Sequence, residues 1–232
     1  MSVKRKVKVR PYGDSPARLI DQSLLRADAT EADIIRLCKG AVKYKFHAVC
    51  VQPYYIPLCK AILGGSEIKT AAVIGFPLGM TLKEIKVTEA MQSVLYGAQE
   101  LDIVINVGAL KSGNWEYVEE ELAAVINATK TALHKVIIEA CYLTDKEKVL
   151  ATRVALAYGA AFVKTSTGFG RAGATVKDVR LIKGIVKDLG GVKAAGGIKT
   201  LAQVRKFLKA GASRIGTSSG VEIMEEFRKA GR

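Results

Sequence analysis

What most constrains this chain is an alternation repeated along its length. β-rich runs at residues 18–24, 48–52, 70–76, 101–107, 136–141, 162–167, 192–196 and 214–216 are separated by stretches such as 82–96, 117–133 and 201–210, where apolar residues recur every three or four positions. The helical stretches begin with the same chemistry. Thr30 precedes Asp33 by three, as Thr81 does Glu84, Thr144 does Glu147, Thr175 does Asp178 and Thr200 does Gln203. In each pair a Thr hydroxyl can accept from the third backbone amide while the later side chain reaches back to the Thr amide. Tyr96-Gly97-Ala98, Tyr158-Gly159-Ala160 and Ala210-Gly211-Ala212 place glycine where a helix stops. Consecutive strand–helix units with right-handed crossovers give a parallel sheet clothed in helices. Eight of them predict an α/β chain forming a single (β/α)8 TIM barrel over residues 13–232, behind a basic N-terminal arm at 1–12. An open doubly wound sheet is the rival, but no G-x-G-x-x-G opens a helix after the first strand. No Pro/Ser-rich linker divides the chain.

Charge and cysteine usage narrow the function classes. The formal net charge is +14. Aromatic residues do not interleave with a basic stripe, so base stacking lacks its platform. The expectation is a solvated basic surface with no nucleic-acid partner, whose field favours a small anionic substrate. No apolar run approaches the ~20 residues of a membrane helix, and MSVKRKVKVR lacks the apolar stretch of a signal peptide. A cytoplasmic protein with no membrane partner is expected. Cys38, Cys50, Cys59 and Cys141 form no CxxC pair, and no histidine stands near them at zinc-site spacing, so reduced thiols and no metal are expected. The two histidines, His47 and His134, are expected at helix ends or on the surface.

In a barrel, alternate strand residues point inward and reactive groups gather at the C-terminal ends of the strands. The polar residues of the apolar runs are therefore the candidates: Asp21, Asp102, Asn106, Glu139, Lys164 and Lys193. Lys164 and Lys193 fall on successive strands, which makes them neighbours across the sheet. Small residues follow both, in Thr165-Ser166-Thr167-Gly168 and Ala194-Ala195-Gly196-Gly197, leaving room for a ligand. An ordinary lysine is neutral only about once in two or three thousand molecules at pH 7. A neighbouring cation and desolvation favour the neutral amine, which can attack a carbonyl and form a Schiff base. The competing reading makes both lysines ion-pair partners of Glu139 and Asp102. Gly168, Gly196-Gly197 and the run from Gly216 to Gly220, with Ser218 and Ser219, end the last three strands, where barrels often bind phosphate.

"VKTSTGFG", "VKAAGGI", "IGTSSG", "ELDIVINVGAL" and "VIGFPLG" occur here in an order that resembles the 2-deoxyribose-5-phosphate aldolase family over nearly the whole chain from Leu19. The resemblance implies a class I aldolase on a (β/α)8 barrel, needing no metal or other cofactor. It would interconvert 2-deoxy-D-ribose 5-phosphate with acetaldehyde and D-glyceraldehyde 3-phosphate, and would assemble as a homo-oligomer, dimer or tetramer. It implies Lys164 as the Schiff-base lysine, Lys193 as the neighbouring cation and Asp102 as the carboxylate that moves protons through a water. Gly168, Gly196, Gly197, Ser218 and Ser219 fall where the family holds phosphate, with Asp21 and Cys50 near the substrate. The chain departs from the family pattern in several places. Asp21-Gln22-Ser23 replaces the frequent Asp-His-Thr, Gln52 replaces an Asn, and the sequence ends without the tyrosine that some members send into the site. Phe169 stands where some relatives carry a lysine, which leaves Arg171 as a candidate phosphate cation.

Overall fold

In this computed structural model, residues 15–231 are described, so the basic arm expected at 1–12 lies outside the described residues. Eight parallel strands close into a barrel: β1 Ile20–Leu24, β2 Ala48–Val51, β3 Lys69–Ile74, β4 Glu100–Val104, β5 Leu133–Ile137, β6 Phe162–Lys164, β7 Gly191–Ala195 and β8 Arg214–Thr217. The ring shuts where Ile20 of β1 pairs with Ile215 of β8. Around it lie α1 Glu31–Tyr44, α2 Ile56–Leu63, α3 Lys83–Tyr96, α4 Val107–Lys111, α5 Trp115–Ala128, α6 Asp145–Ala157, α7 Val176–Val186, α8 Leu201–Lys209 and α9 Gly220–Ala230. Among the described residues no helix is long and apolar enough to cross a membrane.

The threonine signatures work at four of five junctions. Thr30, Thr144 and Thr200 form reciprocal capping boxes. Thr175 accepts from the Asp178 amide at 3.0 Å, but the Asp178 carboxylate turns to Lys148 at 2.6 Å. The fifth is corrected: α3 takes Leu82 as its N-cap without a side-chain bond, because Thr81 stands one residue too early to reach the helix amides. At the other end of α3, Gly97 carries φ 118°, and a Cβ there would meet the Lys60 side chain at 2.5 Å.

The apolar core is mostly a shell between helices and sheet. Ile34 and Cys38 of α1, Val179 and Ile182 of α7, and Val204 of α8 are fully buried against outward-facing strand residues such as Val49, Val163 and Ile215. Each such aliphatic side chain contributes about 1.5–3 kcal/mol relative to exposure. Inside the ring the apolar cluster is small, confined to Leu25, Cys50, Ala71 and Val73 with Phe76 against them.

Several strands end earlier than their sequence runs. β4 stops at Val104, and Asn106, expected among the inward strand residues, instead caps α4 by accepting from the Ala109 amide at 3.0 Å. The histidine expectation is also corrected. His134 is buried on β5 and shares a 2.9 Å hydrogen bond with Thr129, with burial pulling it down to about 4 so that the ring is neutral. His47 is half-buried just before β2 and meets Glu100 at 2.9 Å. Neither ring nitrogen could be placed by periodicity, since both partners come from other elements.

Candidate active site

Most barrels of this class fill their interior with layers of branched apolar side chains. Here alternate residues of six strands bring charge inside: Asp21 of β1, Glu100 and Asp102 of β4, Lys135 of β5, Lys164 of β6, Lys193 of β7 and Arg214 of β8. All are buried, and Lys164 is only 2 % exposed. The sheet register makes Lys164 and Lys193 direct partners across β6 and β7.

Asp102 is the hub. Its Oδ1 accepts from Lys135 at 2.8 Å, and its Oδ2 accepts from both Lys164 and Lys193, each at 2.8 Å. Burial by itself would raise this carboxyl, but Lys135, Lys164 and Lys193 together hold it well below the usual carboxylate range. Lys193 has a second anchor in Asp21 at 2.6 Å. Burial opposes the charge on Lys193, yet Asp102 and Asp21 overcome it and hold the ammonium above the ordinary lysine range. Lys135 is likewise raised against burial, with Glu100 at 2.6 Å and Asp102 at 2.8 Å. Arg214 closes the lower end of the network on Asp21 at 2.9 Å and Glu100 at 3.2 Å. Four basic side chains thus share three carboxylates. Lys164 alone among the four has a single carboxylate partner.

Of the residues singled out in the sequence, Lys164, Lys193 and Asp102 are brought into direct contact. Asp21 is fully buried and bonded to Lys193 and Arg214, so its carboxylate holds the amines rather than bordering an opening. Cys50 packs with its Sγ 3.8 Å from the same Asp102 oxygen, and burial raises its thiol, followed by the charge of Asp102. Gly168, Gly196 and Gly197 all adopt positive φ, and a Cβ on Gly196 would lie 2.8 Å from the Gly173 Cα. The loops after β6 and β7 therefore touch backbone to backbone at the mouth. Ser219 caps α9 without using its hydroxyl, and Ser218 is exposed, its carbonyl accepting from Gln22 at 2.9 Å. Arg171 turns away from this cradle: its Nε donates to the Cys141 carbonyl at 2.8 Å, and its guanidinium lies over the Tyr142 ring.

Lys135, Glu100 and Arg214 were missed as site residues. Lys135 fell one place before the run assigned to its strand. Arg214 opened its run as a charged residue with an inward period and carried a readable signal. A cavity of about 250 Å³ opens over the exits of β3 to β6, bordered by Pro77, Met80, Val107, Glu139, Thr167 and Phe169 among others. Glu139 sits there with φ 44°, a left-handed backbone that costs a non-glycine residue about 1–3 kcal/mol.

The DeoC/LacD family aldolase model matches residues 17–226. The chain belongs to that aldolase family. It is 54 % identical over 213 residues to a deoxyribose-phosphate aldolase of Thermococcus kodakarensis, covering 90 % of this chain and 95 % of the other. It is 52 % identical over 213 residues to the enzyme of that name from Carboxydothermus hydrogenoformans, covering 90 % and 93 %. Among solved structures, the aldolase QR15 superposes with a TM-score of 0.89 at 42 % identity, over 93 % of this chain and 96 % of its own. A deoxyribose phosphate aldolase from Aeropyrum pernix, described as a unique tetramer, superposes at 0.87 with 35 % identity, over 94 % and 92 %. As a member of this aldolase family, the chain is an enzyme that makes or breaks carbon–carbon bonds.

Proposed function

We propose that this aldolase reversibly cleaves 2-deoxy-D-ribose 5-phosphate to acetaldehyde and D-glyceraldehyde 3-phosphate through a Schiff base on Lys164. The observation that carries the reading is the sharing of one Asp102 oxygen by Lys164 and Lys193. Three carboxylates leave one cation of the four in excess. Lys164 forfeits one ion pair on losing a proton, where Lys193 forfeits two. Lys164 is therefore the amine that reacts. Neutral Lys164 attacks C1 of the open-chain sugar, and loss of water leaves an iminium that draws electrons as the C2–C3 bond breaks. Lys193, doubly anchored, keeps a fixed positive charge beside it. Asp102, which bridges the two amines, takes the C3 hydroxyl proton through a water as the C2–C3 bond breaks. The Gly168 and Gly196-Gly197 cradle, with Ser218 and Ser219, holds the phosphate and so orients the sugar from a point remote from the breaking bond.

The support for the substrate is the name shared by relatives at about half identity over most of the chain. By likeness to the Aeropyrum pernix enzyme the chain assembles as a homo-oligomer, and sedimentation should return a dimer or tetramer mass. Lys164→Ala is expected to abolish turnover. Borohydride reduction in the presence of acetaldehyde should label wild type on the peptide containing Lys164 and leave the variant unlabelled. Label on another lysine would overturn the assignment.

A further inference from the structure

The outer face of α3 differs from those of the other helices. Apart from Glu84, its exposed positions are Ile85, Thr88, Met91, Gln92, Leu95 and Tyr96, and none of these carries a charge. They share one side because a helix sets residues three and four apart together. The remaining charged residues of α3 are spent elsewhere. Lys83 is half-buried on Glu120 at 2.7 Å, Lys86 is buried on Glu121 at 2.6 Å, and Glu89 accepts from the Gly75 amide at 2.7 Å. The neighbouring helices do expose charge, as Arg36 does on α1, Lys60 on α2, Glu120 on α5, Arg180 on α7 and Lys206 on α8.

The same face is strongly apolar. Leu82, Ile85, Met91, Leu95 and Tyr96 are between 50 % and 70 % exposed, and Met80, in the loop after β3, joins them. At roughly 200 Å² for a large apolar residue in the open, the six offer on the order of 700 Å² to water. The largest apolar patch of an ordinary monomer is about 300–600 Å². A specific interface takes about 800 Å² from each partner, so this face by itself nearly supplies one side of it.

Charge selects what covers it. The formal net charge is +14. An acidic protein, a nucleic acid or an anionic lipid surface is drawn to the faces that carry lysine and arginine, not to the one that lacks them. A second copy of this chain is repelled by those faces, and α3 is where two copies meet with no like charges brought together across most of the contact. An apolar face is also self-complementary, as a two-fold contact requires.

We propose that the face from Met80 to Tyr96 is the surface through which two copies of this chain pair about a two-fold axis. The proposal rests on the homo-oligomer reading above and assigns the contact to one helix.

The test is the solution mass, by light scattering and sedimentation, of the wild type and of a double variant, Met91→Lys with Leu95→Lys. Both sites are remote from the charge network, and an unchanged circular dichroism spectrum and urea slope establish that the variant is folded. The expected result is a halving of mass, from dimer to monomer or from tetramer to dimer. An oligomeric wild type whose mass the folded variant keeps overturns the assignment of the face and leaves the oligomer reading standing. A monomeric wild type defeats both. If the double variant does not fold, Thr88→Cys and Gln92→Cys, at the middle of the face, are treated singly with a flexible bis-maleimide. A covalent dimer from either, above the wild-type background, supports the contact, and none from both overturns it.

Discussion

Lys164 and Lys193 face each other across β6 and β7, yet what holds them differs by one carboxylate. That difference sets a prediction for pH. Removing the fixed charge of Lys193 removes the repulsion that favours an uncharged neighbour, so activity in Lys193→Ala should appear only at higher pH. A displacement of about one pH unit corresponds to about 1.4 kcal/mol of lost interaction. The measurement is kcat/KM against pH for the wild type and the variant, and superimposable profiles would show that Lys193 sets no charge at the site. The lysines themselves were legible in the sequence because each stood in a β-rich run followed by small residues. Their common partner was legible only as one of several carboxylates, since Glu139 and Asp102 were equal candidates until β4 brought Asp102 under both amines.

At the scale of elements, the strand-to-helix junctions separate a working signature from a silent one. Thr144 accepts from the Glu147 amide at 3.3 Å and its own amide donates back to the Glu147 carboxylate at 2.7 Å. Thr144→Ala should lower stability by about 1 kcal/mol, the usual worth of such a cap. Thr81→Ala should cost a few tenths at most, because Leu82 and not Thr81 caps α3. Urea unfolding midpoints of the two variants, with unchanged slopes, test the pair. The same local motif reads identically at both places in the sequence. Which threonine caps depends on where the preceding loop delivers the chain.

Across the whole molecule, the buried charge network ties β1, β4, β5, β6, β7 and β8 to one another, and its weak point is acid. Burial would raise Glu100, but Lys135 and the His47 hydrogen bond bring it down to about 2 against an ordinary 4.5. A carboxyl lowered by folding stabilises the protein above its unfolded value and loses that contribution as pH falls through the folded one. Wild type should therefore lose stability progressively from about pH 4.5 down towards 2, with Asp21 and Asp102, also lowered, continuing the trend. Glu100→Gln leaves Lys135 and Arg214 short of a counter-charge and should cost about 3–5 kcal/mol at pH 7, shrinking as wild type protonates. Denaturant unfolding at a series of pH values reads both effects, and a constant difference between the two proteins would refute the linkage.

The alternation of strand and helix, the caps, the helix-ending glycines and the inward strand lysines were determined by local chemistry, because hydrogen-bond capping and side-chain periodicity depend on residues a few places apart. Closure of the ring was decided only in three dimensions, and with it the meeting of Asp21, Glu100, Asp102, Lys135, Lys193 and Arg214. The balance of charge in a space shielded from water is a sum over six strands, and no single stretch of sequence contains it.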